Sequence, residues 1–217
     1  MSVAQPLVVL VPVLRRPHRV QPLLASLHAN TPDPVRALFI CDHDDGEQQA
    51  AVRKCGADML IVDGGYAAKI NAGVTATTEP LLFLGADDLA FHPHWLERAK
   101  RRIKGSVHVV GTNDLCNRRV MRGEHSTHSL VTRAYTHHGT IDDPTRLLHE
   151  GYPHEFVDDE FVGTARHRGA FASAPDSIVE HLHPQVGKAP MDDLYAAQGR
   201  RMRAGRAHYR LRMPLWT

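Results

Sequence analysis

From Leu7 to Val13 the chain is continuously apolar and rich in valine, the pattern of a strand buried on both faces of a parallel sheet. Val20, Leu23, Leu24 and Leu27 then recur at helical spacing, and Pro32 and Pro34 mark the end of that helix. A second apolar run, Ala37 to Cys41, stops at the acidic loop Asp42-His43-Asp44-Asp45-Gly46. The spacing predicts a polar helix over 47–55 closed by Gly56, then a third strand, Met59 to Val62, ending in Asp63-Gly64-Gly65. A helix over 67–76 leads to a fourth strand, Leu81 to Leu84, which ends at Gly85-Ala86-Asp87-Asp88. Such alternation predicts a single α/β domain, a mostly parallel sheet flanked by helices and joined by right-handed crossovers.

A helix over 93–103 and a strand over 108–111 continue the series. Regularity lapses between Asn113 and Gly151, a histidine-rich stretch read as loop structure. It returns with a helix over 156–168, ended by Gly169, and a short strand over 178–180. With 217 residues, 42% hydrophobic and 23% charged, the chain has room for one sizeable core. A formal charge of +2 gives no overall field toward nucleic acid, although arginines concentrate between Gly199 and Arg212. Cys41, Cys55 and Cys116 are odd in number and lack a CxxC pair, which argues against a disulfide framework and a cysteine zinc site. They read as reduced thiols of a cytoplasmic protein. The apolar stretch Leu7 to Leu14 is too short to span a bilayer and lacks signal-peptide features, so no membrane or export role is expected.

Ligands of such sheets bind outside the carboxyl ends of the strands, and three of these ends carry aspartate: Asp42, Asp63, and Asp87 with Asp88. Each alone could be a helix or turn cap. Adjacent carboxylates can also hold a divalent ion that neutralises a departing phosphate. Asp158, Asp159 and Glu160 are candidates for a general base, the plainer reading being an acidic first turn favoured by the helix dipole.

The segment Gly65-Tyr66-Ala67-Ala68-Lys69-Ile70-Asn71-Ala72-Gly73, followed by Phe83-Leu84-Gly85-Ala86-Asp87-Asp88, forms the first half of a larger pattern. Its second half is Val157-Asp158-Asp159-Glu160-Phe161, then Gly169, then Pro175-Asp176-Ser177-Ile178-Val179-Glu180-His181. In order and spacing this resembles the inverting family-2 glycosyltransferases of the GT-A fold, over about Leu7 to His181. The resemblance implies a metal-dependent transferase that moves a sugar from a nucleotide-diphosphate donor to an acceptor hydroxyl. The donor would be a UDP-sugar first, with GDP- and dTDP-sugars as alternatives, and the ion Mn2+ or Mg2+. It places the ion on Asp87 and His181, the donor on Pro12, Asp42, Asp63, Lys69, Asp87 and Asp88, and the base at Asp158 ahead of Asp159. Gly85 stands where the family's DxD-like motif has its first aspartate, which removes one donor-side carboxylate. The transferase domain is read as 1–184, with a donor half over 1–112 and an acceptor half over 113–184, and 185–217 as a basic helical tail. The acceptor stays open among a saccharide, a lipid-linked sugar, a protein side chain and a modified nucleobase.

Plainer readings accompany these. Lys69 could be a solvated helix lysine and Trp95 a core residue, and His125 and His128, in the segment that resembles the family's acceptor side, could contact acceptor or donor sugar but read first as loop histidines. A nucleotidyltransferase would normally show a glycine-rich basic loop after the first strand, where this chain has Arg15, Arg16 and Arg19 without glycine. A non-catalytic nucleotide-sugar-binding protein of the same fold is the reading that Gly85 favours.

Overall fold

A computed structural model describes residues 5–217. As the apolar runs predict, β1 (Leu7–Pro12), α1 (Val20–Asn30), β2 (Val35–Cys41), α2 (Gly46–Lys54), β3 (Asp58–Ile61), α3 (Tyr66–Thr75) and β4 (Leu81–Leu84) alternate. β5 (Leu89–Phe91), α4 (Trp95–Lys100), β6 (Val109–Asn113), α5 (Arg118–Met121), β7 (Ser129–Thr132) and α6 (Arg133–Thr136) follow. The chain ends with α7 (Val157–His167), β8 (Phe171–His181), α8 (Asp193–Ala196) and α9 (Gln198–Arg212).

The strands form one sheet in the order β3-β2-β1-β4-β7-β6-β8-β5. β1 to β4 pair in parallel and so do β6 and β8, whereas β7 runs against β4 and β6, and β5 runs against β8. The mostly parallel α/β expectation holds, with β5 and β7 as unpredicted exceptions. β5 is three residues long, too short for a period to register, and β7 lies inside the stretch read as loop. β8 is much longer than the predicted 178–180. Its register against β6 shifts between Thr112 and Asn113, and this irregularity takes up Pro175, which has no N–H to donate.

The side chains of β1 explain its unbroken apolar run. Leu7, Val9 and Val11 pack with Leu23 and Leu27 of α1 and Trp95 of α4 on one face. Val8 and Leu10 pack with Ile70 of α3 and Val157 and Phe161 of α7 on the other. Each fully buried side chain of this kind contributes about 1.5–3 kcal/mol, so the central strand anchors both layers.

The C-terminal stretch is bound to this body. Gly163 lets the Trp216 ring close on α7, since a Cβ there would lie 2.4 Å from the indole nitrogen. Arg212 donates to both oxygens of buried Glu160 at 2.8 Å, and Tyr152 donates to Glu160 at 2.7 Å. Removing one partner of a buried ion pair strands the other charge, so Arg212→Ala is expected to lower stability by about 3–5 kcal/mol. Urea denaturation measures it, and a change below about 1 kcal/mol, the level of an exposed ion pair, would show that this contact does not hold the tail. Among the described residues no helix is long and apolar enough to cross a membrane.

Candidate active site

Loops leaving the carboxyl ends of β1, β3, β4, β6 and β8 meet around a cleft of about 720 Å³. Asp87 and Asp88 line it, delivered by the turn after β4, and both are buried. Gly85 N donates to Leu10 O at 2.9 Å, and a Cβ on residue 85 would stand 3.0 Å from that same oxygen. The glycine at the first motif position therefore keeps β4 pressed against β1 up to the turn.

Asp88 uses one carboxylate oxygen twice: Oδ2 accepts from His181 Nε2 (3.2 Å) and from the Tyr195 hydroxyl (2.5 Å). Its Oδ1 is buried without a partner. Asp87 Oδ1 accepts from Arg16 Nη1 at 3.2 Å, and the same nitrogen lies 3.7 Å from Asp88. The other edge of that guanidinium, Nε and Nη2, donates to both oxygens of Asp192 at 2.8 and 3.0 Å. The Tyr195 ring lies against it, 4.1 Å from guanidinium carbon to centroid. Burial and the neighbouring Asp88 charge push the Asp87 carboxyl up to about 7. Burial acts on Asp88 in the same sense, but His181 and Tyr195 hold it well below the ordinary carboxylate range. Burial opposes charge on His181, yet Asp88 raises it.

Three carboxylates, Asp87, Asp88 and Asp192, thus share one guanidinium and one imidazole. The excess negative charge, the raised Asp87 and the unpartnered Asp88 Oδ1 are what a hard divalent cation relieves. Carboxylate oxygens with an imidazole suit Mn2+ or Mg2+ better than structural zinc. The residues fit the ion that the sequence implies, with His181 bonded to Asp88, the neighbour of the expected Asp87.

The start of α7 supplies a second set. Asp158 Oδ2 lies 3.0 Å from His125 Nε2, and Asp159 Oδ1 accepts from Arg119 Nη1 at 2.6 Å. Burial lowers the His125 pKa, but its bond to Asp158 raises it further, to a net increase. Burial would raise Asp158, and the same bond brings it below the ordinary range; Asp159 is raised by burial and by the Asp158 charge. Among the described residues, His125, Asp158 and Asp159 are the one trio of metal-capable side chains whose ligand atoms all lie within 4.8 Å of one another. Their charges are already matched by Arg119 and His125 itself, whereas those around Asp87 are not. Charge balance therefore favours Asp87 and Asp88 for a cation over the tighter trio.

The remaining expectations divide. Pro12 lines the cleft. Lys69 is buried rather than solvated, and its ammonium donates to Val13 O (2.8 Å) and Asp42 Oδ2 (2.6 Å), tying the loop after β1 to the end of β2. Asp63 does not line the cleft; it is exposed and bonded to His43 at 2.7 Å. His128 lies in the bend before β7, as read, but it is buried and bonded to Leu84 O at 3.2 Å, and burial with the nearby His181 brings its pKa down to about 4. Trp95 is core, as read. Left-handed backbone at Arg15 (φ 51°), Leu115 (φ 51°) and Phe156 (φ 73°) flanks or lines the cleft, the kind of strain that persists where a site needs it.

The family model of glycosyl transferase family 2 matches residues 8–158. The chain belongs to that family. No curated protein matches this glycosyltransferase in sequence. Among solved structures it is similar to glucosyl-3-phosphoglycerate synthase from Mycobacterium tuberculosis in complex with Mn2+, UDP-Glc and phosphoglyceric acid. The two are 13% identical with a TM-score of 0.64, over 94% of this chain and 79% of that one. It is also similar to a mannosyltransferase from Pyrobaculum calidifontis in complex with GDP-Man and Mn2+, at 15% identity and a TM-score of 0.65, over 91% of this chain and 60% of that one. Likeness at these identities establishes the fold, and the GT-A expectation holds.

Sequence reasoning on this glycosyltransferase missed Arg16 as a partner of the motif, as well as Arg119, Asp192 and Tyr195, and did not foresee that the loop residue His125 is buried and bonded to Asp158. Arg16 and Asp192 are 176 positions apart, and Tyr195 and Asp88 are 107 apart. No local period reports such pairs. The one available signal was an arginine following a strand that ends at the sheet's ligand-binding edge.

Proposed function

We propose that this glycosyltransferase is inverting and metal-dependent and takes its sugar from a nucleotide-diphosphate donor, with Asp87, Asp88 and His181 holding the ion and Asp158 acting as base. The observation that carries this reading is one cleft lined both by a buried carboxylate pair with an unpartnered oxygen and by a separate carboxylate kept ionised by His125. Inversion is a single displacement: the acceptor oxygen bonds to the anomeric carbon as the bond to the diphosphate breaks, and a base takes the hydroxyl proton. Asp158 is suited to take it, because only its Oδ2 is engaged by His125. A divalent ion at Asp87 and Asp88 would offset the charge that builds on the departing diphosphate. Pro12 is proposed for the nucleoside side; Asp42, which like Asp63 does not line the cleft, acts through its hold on Lys69, which does. The UDP-Glc and GDP-Man complexes of the two similar proteins support these nucleotides as first donors to try.

Nucleotide release from UDP-glucose and GDP-mannose, with Mn2+ and with excess chelator, tests the reading when combined with NMR assignment of the product anomer. The expected result is metal-dependent release and an inverted anomer. A retained anomer, or an undiminished rate in chelator, overturns it.

A further inference from the structure

The Arg16 guanidinium has an unusual setting. It is buried, and its contacts are divided by edge. Nε and Nη2 are committed to Asp192, while the Tyr195 ring fixes the plane. Nη1 alone faces Asp87 and Asp88. Asp192 in turn is fixed as the cap of α8, accepting from Tyr195 N at 2.9 Å, and the Tyr195 hydroxyl is bonded to Asp88. The Arg16 backbone is held as well, its N–H donating to Gln48 Oε1 at 2.9 Å. A side chain so constrained cannot swing, so one N–H group and one full charge are aimed permanently at the carboxylate pair. These clamp residues come from 192–195, beyond the segment that the family model matches.

We propose that Arg16 is a fixed second cation for the donor's diphosphate, aimed by Asp192 and Tyr195 as positioning residues. The inference rests on the reading that Asp87 and Asp88 hold the metal. An ion on these carboxylates draws phosphate oxygens to it, and Nη1 stands within hydrogen-bond reach of Asp87 and 3.7 Å from Asp88. A planar guanidinium already held on one edge gives an Nη1 hydrogen to an anion with little loss of freedom. Before the donor arrives, the same charge competes with the ion for Asp87. Arg16 thus opposes the metal and favours the phosphate.

That opposition gives a test that a purely structural role would fail. Binding of Mn2+ alone, and of inorganic pyrophosphate with and without Mn2+, is measured by titration calorimetry on the parent chain and on Arg16→Ala. The expected result is Mn2+ binding tighter on the order of tenfold, because a like charge has been removed, and pyrophosphate binding weaker by on the order of tenfold or more, because a charge-assisted donor is lost. Weakening of both ligands, which reduces Arg16 to scaffolding, or pyrophosphate binding that does not fall, overturns the proposal. Should Arg16→Ala fail to fold, Arg16→Lys is used: it keeps the charge without the fork, so Mn2+ affinity should stay near the parent's while pyrophosphate affinity drops. Asp192→Asn should weaken pyrophosphate in the same direction and Asp192→Glu should restore it; no change in Asp192→Asn removes the clamp from the proposal. Asp87→Ala serves as the control. If it still binds Mn2+, the metal reading has failed, and the pyrophosphate titrations without Mn2+ decide the role of Arg16 by themselves.

Discussion

Asp158→Asn is expected to bind nucleotide-sugar nearly as well as the parent while transferring sugar more slowly by a factor on the order of 10² to 10⁴, the range for loss of a general base. The substitution keeps the shape and an oxygen that His125 can still meet, so the fold and the cleft should survive. What it removes is the negative charge that, on the proposed reading, takes the acceptor's proton. Asp159→Asn should lose far less, because the Asp159 carboxylate is occupied by Arg119. Steady-state kinetics together with donor titration separates the two variants. A large loss in Asp159→Asn with a small one in Asp158→Asn would exchange their roles. A small loss in both would leave the acidic start of α7 as a dipole effect only.

Asp87→Ala should behave differently, with binding and rate falling together. A carboxylate that holds the ion serves donor binding as well as departure of the diphosphate, so kcat/KM is expected to drop on the order of 10³-fold, roughly 4 kcal/mol. Electron paramagnetic resonance of free Mn2+ should show the site's affinity lost in the same variant. In the parent, Mn2+ affinity should decline as pH falls through about 7, because burial and Asp88 raise the Asp87 carboxyl to that range and a protonated Asp87 cannot ligate. Full Mn2+ affinity in Asp87→Ala would move the ion elsewhere, with His125, Asp158 and Asp159 the next set to examine.

The first half of the fold was legible because its strands are buried on both faces. Val8 and Leu10 had to be as apolar as Leu7 and Val9, and each run ended at a visible turn. β7 escaped notice because it is short, begins at a serine and sits among histidines. Two of them, His125 and His128, are buried against the cleft, so their polarity reflects the site rather than solvent. The Asp87 turn and Asp158 were found through motif order and do share the cleft. Asp63 was misleading because an aspartate at a strand end is also what an exposed turn selects, and here it meets only His43. The buried role of Lys69 was hidden for a related reason: a helical lysine looks the same in sequence whether it faces water or a carboxylate at a strand end.

The clasp between Arg16 and Asp192 also bears on how the molecule is made. Arg16 is made 176 positions before Asp192, so the sheet from β1 to β4 can form while the guanidinium has only Asp87 and Asp88 to meet. Contacts across so much sequence close late, because the intervening chain must order first. During that interval the nascent chain holds its family-matched segment without His181, Asp192 or Tyr195. Docking of the C-terminal helices on α7, where Trp216 seats against Gly163, therefore follows the ordering of the sheet and completes the clasp.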